Sequence, residues 1–199
     1  MEEIRTVLQR TRTLSGTPTK LLEKSTKTIR RFGSFDALLE KVNPTMQEYF
    51  CQRDVLAVMG DFPTLADINQ AFGSGSGEKW LVPQIADLTL YTGAKNIDKY
   101  QHRALARLLS SEYYWLKLSE FLLFFHRFKM GHYGRFYGNV DPMVITCAMR
   151  DFIAERNDII AEEEQKERER LEEEERKRNP PITREEWERI KAEEEEKRK

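Results

Sequence analysis

Between Phe32 and Ile160 the large apolar residues recur every three or four positions, and no convincing run alternates apolar with polar. That period gives each segment one stripe to bury, which confines the chain to helix packed on helix. Phe35, Leu38, Leu39 and Val42 form one such stripe. Asn43-Pro44 supplies a cap and a proline at the first helical position, opening a helix over TMQEYFCQRDVLAVM. VLAVM alone could pass for a strand, but one strand needs a partner. Thr64 and Asp67 are spaced as a capping box with a short acid, ahead of a helix through Phe72. GSGSG at 73–77 reads as a flexible linker. After it, Trp80, Ile85, Leu88 and Tyr91 share a helical side, with Pro83 tolerable only near that helix's start.

Residues 98–130 carry two stripes that do not align. Leu105, Leu108, Leu109 and Leu116 form one, and Leu118, Phe121, Leu122 and Phe125 the other. Two helices are expected, with a break near Ser110-Ser111 and a glycine stop at Gly131. Asp141-Pro142 then caps and opens another helix, whose buried face should be Ile145, Ala148, Met149, Phe152 and Ile153. The expected fold is all-α: a compact multi-helix bundle, residues 32–160.

Charge divides the chain further. Residues 1–31 hold three acids and eight bases, few large apolar groups, and so read as a flexible basic arm. From Glu162 to Lys199 there are 16 acids and 12 bases. Acid-to-base pairs four apart recur there, among them Glu162–Lys166, Glu164–Arg168, Glu172–Arg176, Glu173–Lys177 and Glu174–Arg178. Each such pair contributes about 0.2–0.5 kcal/mol to a helix. Leu171 is the one large apolar residue of the run, so no coiled-coil seam exists. The expectation is a projecting, solvent-exposed charged helix at 161–178. Asn179-Pro180-Pro181 breaks it, and 179–199 holds a short second helix. There Thr183 and Glu186 are spaced as a capping box, with Ile182 and Trp187 placed as a staple. Ile182, Trp187 and Ile190 form a ridge suited to docking in a partner's groove. The plainer reading is a staple without a partner.

Two cysteines, Cys51 and Cys147, cannot build a disulfide framework. Both lie in apolar helical patterns and are expected as buried thiols. No apolar run is long enough to span a membrane and no signal core opens the chain, so the expected location is cytoplasmic. His102, His126 and His132 show no metal-ligand spacing, and no phosphate loop, nucleophile elbow or dinucleotide fingerprint is present. No cofactor, metal or catalysis is expected.

The stretch FHRFKMGHYGRFYGNVDP, residues 125–142, carries the candidate site. It interleaves Arg127, Lys129 and Arg135 with aromatic rings, notably Tyr133 and Tyr137, and is punctuated by Gly131, Gly134 and Gly138. One reading is structural: the glycines and Asp141 shape a turn between two core helices, and the rings pack it down. The other is a surface for phosphates and unstacked bases, with Arg127, Lys129, Tyr133, Arg135 and Tyr137 contacting single-stranded nucleic acid weakly.

Residues 80–156 resemble uncharacterised helical proteins of bacteriophages and integrating mobile elements of Bacteroides-type bacteria. The matching positions are Trp80, Ile85, Tyr114, Leu116, Glu120, Lys129, Gly131, Tyr133, Gly134, Tyr137, Gly138, Asp141 and Arg156, with residues 1–60 and the tail outside the pattern. The resemblance implies no specific activity; its setting implies roles in replication, recombination or host takeover. The expected function is a non-catalytic replication accessory or adaptor, its tail recruiting a protein such as a replicative helicase. The alternative is a protein–protein regulator that inhibits a host enzyme and has no nucleic-acid role.

Overall fold

The computed structural model describes residues 18–93, 97–179 and 184–197. Among them are nine α-helices and one 3₁₀ helix, with no strand beyond an isolated bridge between Thr64 and Lys117. The protein is all-α. It divides into two units, Met1–Ile159 and Ile160–Lys199.

In the first unit, α1 (Pro18–Phe32) buries Thr28 and Phe32 and packs against α4. Residues 18–31 of the expected flexible arm are instead helical, because Phe32 and Thr28, four apart, give the helix one buried edge. Residues 1–17 lie outside the described residues. Helix α2 (Phe35–Lys41) starts where the Ser34 hydroxyl accepts the Ala37 N–H.

Asn43 caps the next turn as expected, its Oδ1 accepting the Thr45 N–H at 2.9 Å. That turn, however, is a 3₁₀ helix (Pro44–Phe50) rather than the start of one long helix. Gln52 takes a φ of 55° and breaks the chain direction before α3 (Asp54–Met59). VLAVM is thus helical. Cys51, at the break, is exposed rather than buried. Cys147 is exposed too: it lies two residues from Ile145 and so about 200° around the helix from the buried face.

Helix α4 (Leu65–Phe72) begins with the capping box in full. Thr64 Oγ accepts the Asp67 N–H, and Asp67 Oδ2 accepts the Thr64 N–H. Its first free N–H groups, on Leu65 and Ala66, donate to the carbonyls of Leu116 and Tyr114. GSGSG does not act as a linker. Gly75, at φ 83°, turns the chain straight into α5 (Ser76–Tyr91), and Ser76 and Gly77 are buried. Gly77 N–H donates to Asn69 Oδ1, and a Cβ on Gly77 would meet Ser110 Oγ at 3.0 Å. Glycine is there for close packing. Pro83 consequently sits inside the helix, where it removes the N–H that would reach the Lys79 carbonyl.

Trp80, Leu81, Ile85 and Leu88 are fully buried, whereas Tyr91 is exposed. Trp80 Nε1 donates to the Val42 carbonyl at 2.8 Å and its ring meets Phe121 edge-on. Helix α6 (Lys99–Glu112) runs past Ser110-Ser111, and the break comes at Tyr113–Lys117. Leu105 and Leu109 are buried, but Leu108 is exposed. Helix α7 (Leu118–Lys129) is the centre: Leu118, Phe121, Leu122, Leu123, Phe124, Phe125 and Phe128 are all buried.

Helix α8 (Pro142–Arg178) starts at Asp141, whose Oδ1 accepts the Met143 N–H at 2.8 Å. Ile145, Ala148, Met149 and Phe152 are buried and Ile153 partly so. In the second unit every described residue from Glu164 onward is exposed. After residues 180–183, which lie outside the described residues, α9 (Arg184–Lys197) buries no side chain. No helix of the described residues is long and apolar enough to cross a membrane.

Candidate functional site

The basic aromatic stretch begins on the last turns of α7 and ends at the cap of α8. Gly131, at φ 84°, terminates α7 in a Schellman motif: His132 N–H donates to the Arg127 carbonyl and Gly131 N–H to that of Phe128. Gly134 and Gly138 also hold positive φ, at 94° and 80°. These turns fold the rings back on the core. Tyr133 stacks on Phe124 at 5.6 Å and Phe136 on Phe128 at 5.4 Å.

Two of the three cations are committed to carboxylates. Arg127, with a side chain only 14% exposed, pairs with Asp54 at 2.8 Å and with Glu155. Lys129 pairs with Asp87, and its Nζ lies 5.4 Å from the Tyr91 ring centre. The Tyr133 hydroxyl donates to the Glu155 carboxylate that also holds Arg127. Burial and the adjacent Glu155 charge push the Tyr133 hydroxyl's pKa well above its ordinary value. For Arg127, burial lowers the pKa, but the Asp54 charge and the hydrogen bonds that Arg127 donates to Tyr133 and Asp54 outweigh it, so the value is raised. Burial holds His126 below the usual imidazole value. Arg135 and Tyr137 remain exposed, Tyr137 at 91%. The structure thus gathers Arg127 and Tyr133 around Glu155 and leaves Arg135 and Tyr137 facing solvent. Asp54, Asp87 and Glu155 carried no local sequence signal, because each meets its cation across the fold.

A second buried charge pair stands near the start of α7. Glu120, with no exposed surface, accepts the Lys117 backbone N–H at 2.6 Å and the Arg156 guanidinium. Arg156 also lies 5.0 Å from the Trp115 ring centre. Glu120 and Arg156 are thus both engaged in holding the fold.

In the second unit, Trp187 and Ile190 lie three residues apart on α9 and are 55% and 46% exposed. Lys191 Nζ lies 5.2 Å from the Trp187 ring centre. Ile182 and Thr183 lie outside the described residues. Among the described residues no group of three His, Cys, Asp or Glu side chains is placed to hold a metal ion.

No curated protein and no solved structure matches the chain. Residues 97–198 match the model of a family of unknown function, DUF6633, a match that takes in the charged tail as well as helices α6 to α8. Over half the chain's length is covered, and the chain belongs to the DUF6633 family.

Proposed function

We propose that the protein is a non-catalytic adaptor whose C-terminal helix recruits a protein partner. The observation that carries the reading is α9: two large apolar side chains, Trp187 and Ile190, exposed to solvent three residues apart on a mostly charged helix. Its inclusion in the family match supports a role shared with the rest of that segment. The resemblance of residues 80–156 to phage and mobile-element proteins supports a replication setting, with a replicative helicase as the partner to try first. Weak contact with single-stranded nucleic acid would fall to Arg135 and Tyr137, the exposed members of the basic turn.

The test is binding of purified replicative helicase to the full chain and to Trp187→Ala/Ile190→Ala. A Trp anchor contributes about 2 kcal/mol or more at a small interface, so affinity should drop roughly thirtyfold or further. Equal affinity for the two proteins would exclude the tail as the recruiting element. One observation favours a regulator of a host enzyme without a nucleic-acid role: Arg127 and Lys129 are neutralised by Asp54, Glu155 and Asp87. Single-strand DNA affinity that is unchanged by Arg135→Ala/Tyr137→Ala would favour that second reading.

A further inference from the structure

A cleft of about 350 Å³ opens in the first unit between α1 and the segment Met59–Asp67. One wall is a stripe of α1. Lys24, Lys27 and Arg31 are three and four residues apart, hence on one helical face, and all three are exposed. Lys117 also lines the cleft, as do Met59 and Phe62.

Two of these cations, Lys117 and Arg31, differ from Arg127 and Lys129 in what holds them. Lys117 Nζ donates to two neutral acceptors, the carbonyls of Val58 at 2.6 Å and Gly60 at 2.9 Å. An ammonium has three N–H bonds, so one is left for a ligand. Arg31 Nη1 donates to the Asp61 carbonyl, and its Cζ lies 4.9 Å from the Phe62 ring centre. The rest of its fork can reach an anion. Cations fixed by carbonyls and a ring face stay oriented without being neutralised.

Carboxylates in the lining do not balance them. Four cations face Asp61 and Asp67. Asp67 is the capping acid of α4 and accepts the Thr64 N–H. Asp61 pairs with Lys27 at 2.6 Å, and the hydrogen bond from Lys27 holds its pKa below the ordinary carboxylate value. That pair is open to water, its side chains 65% and 74% exposed, so a competing anion can replace it. The cleft thus keeps a net charge of +2, which can take one terminal phosphate dianion or two neighbouring phosphodiester monoanions of a strand. Met59 and Phe62 add an apolar surface beside the charge, which a bare inorganic anion would not use. The volume is at the small end of ligand pockets, about 300–1,000 Å³.

We propose that this cleft binds a nucleotide phosphate, either of a free nucleotide or of one unit in a single strand. Lys24, Lys27, Arg31 and Lys117 contact the phosphate, and the nucleoside rests against Met59 and Phe62. This inference stands on the cleft alone and is independent of the tail.

The experiment titrates the full chain with ATP by calorimetry and with a labelled short oligothymidylate by anisotropy. Four proteins are compared: wild type, Lys24→Glu/Lys27→Glu, Lys24→Arg/Lys27→Arg and Arg135→Glu. The two lysines are exposed, so the folded helical signal should persist in each variant. The expected result is binding of at least one probe that weakens about tenfold or more on charge reversal, survives the arginine pair, and ignores Arg135→Glu. Which probe binds identifies the source of the phosphate. Binding of neither probe, or binding equally tight after charge reversal, overturns the proposal. So does oligothymidylate binding lost only with Arg135→Glu, which would assign the contact to the basic turn instead.

Discussion

Helix α8 is one continuous helix supported in two different ways. From Pro142 to about Ile159 it is held by packing: Ile145, Ala148, Met149 and Phe152 are buried, and Phe152 meets the Phe124 ring at 5.6 Å. From Glu164 to Arg178 every side chain is exposed, and the helix is supported by its own charges. Arg170 bridges Glu167 and Glu174, Arg176 reaches Glu172, and Lys177 lies 2.8 Å from Glu173. Packing couples a helix to everything it touches. A charge ladder couples it only to its own next turn. The first half should therefore melt with the core of the first unit, and the second should respond to salt and to local sequence.

The sharpest way to break that comparison is to remove one apolar side chain from each half. Phe152→Ala deletes a fully buried ring and should lower unfolding free energy by about 3–5 kcal/mol. Leu171→Ala removes the large apolar residue of the charged half, 51% exposed, and should change stability by less than about 0.5 kcal/mol. Chemical denaturation of both variants checks the pair. Similar losses would mean that the charged half is also held by packing.

Charge itself acts differently in the two halves. Arg156 offsets a Glu120 carboxylate that has no exposed surface. Arg156→Ala would leave that charge buried and uncompensated, at a cost of about 3–5 kcal/mol. The lower end is expected, because the Arg156 side chain keeps 17% exposure and water can enter the vacated space. The denaturant midpoint reports it. A change below about 1 kcal/mol would show that Glu120 is adequately held by the Lys117 N–H alone.

The glycine stop is a smaller, purely local effect. Space is open where a Cβ on Gly131 would stand, so an alanine there meets nothing within 4 Å. Its φ of 84° is still unfavourable for an L-residue. Gly131→Ala should cost about 1 kcal/mol through backbone strain alone. A thermal melt of the variant, overlaid on wild type, measures it.

The same contrast between local and distant partners explains what the sequence made legible. Thr64 with Asp67, Asn43 with Pro44, Asp141 with Pro142 and the Gly131 stop all act within a few residues, and all were readable. So was the buried face Ile145, Ala148, Met149 and Phe152, since helical spacing determines it. The GSGSG stretch misled because glycine serves flexibility and close packing alike. Packing across the fold tells them apart: a Cβ on Gly77 would meet Ser110, thirty-three positions away. Cys51 misled because the left-handed Gln52 interrupts an otherwise helical pattern. In the basic turn, the cations were visible and their carboxylates were not: Asp54 is 73 residues from Arg127, and Asp87 is 42 from Lys129. The cleft beside α1 was hidden for the same reason, since its lysines face a segment more than thirty residues away.

The smallest expected effect concerns the ladder of the charged half, and it separates the two kinds of support most cleanly. Lys177 and Glu173 are four residues apart, with the acid toward the N-terminus, the favourable orientation for the helix dipole. Both side chains are well exposed, at 73% and 67%, so the pair contributes only about 0.2–0.5 kcal/mol. Glu173→Gln removes the charge and keeps the shape. A peptide spanning residues 160–179 with this substitution should lose a small but measurable part of its helical circular dichroism. The difference from the unsubstituted peptide should shrink as salt rises toward about 1 M, where the Debye length is about 3 Å. In the full chain, Glu173→Gln should leave the melting of the first unit where it was, because Glu173 is exposed and pairs with Lys177 one turn along its own helix. A shift in that melting transition would show that the charged half is coupled to the packed half, and the distinction between them would fail.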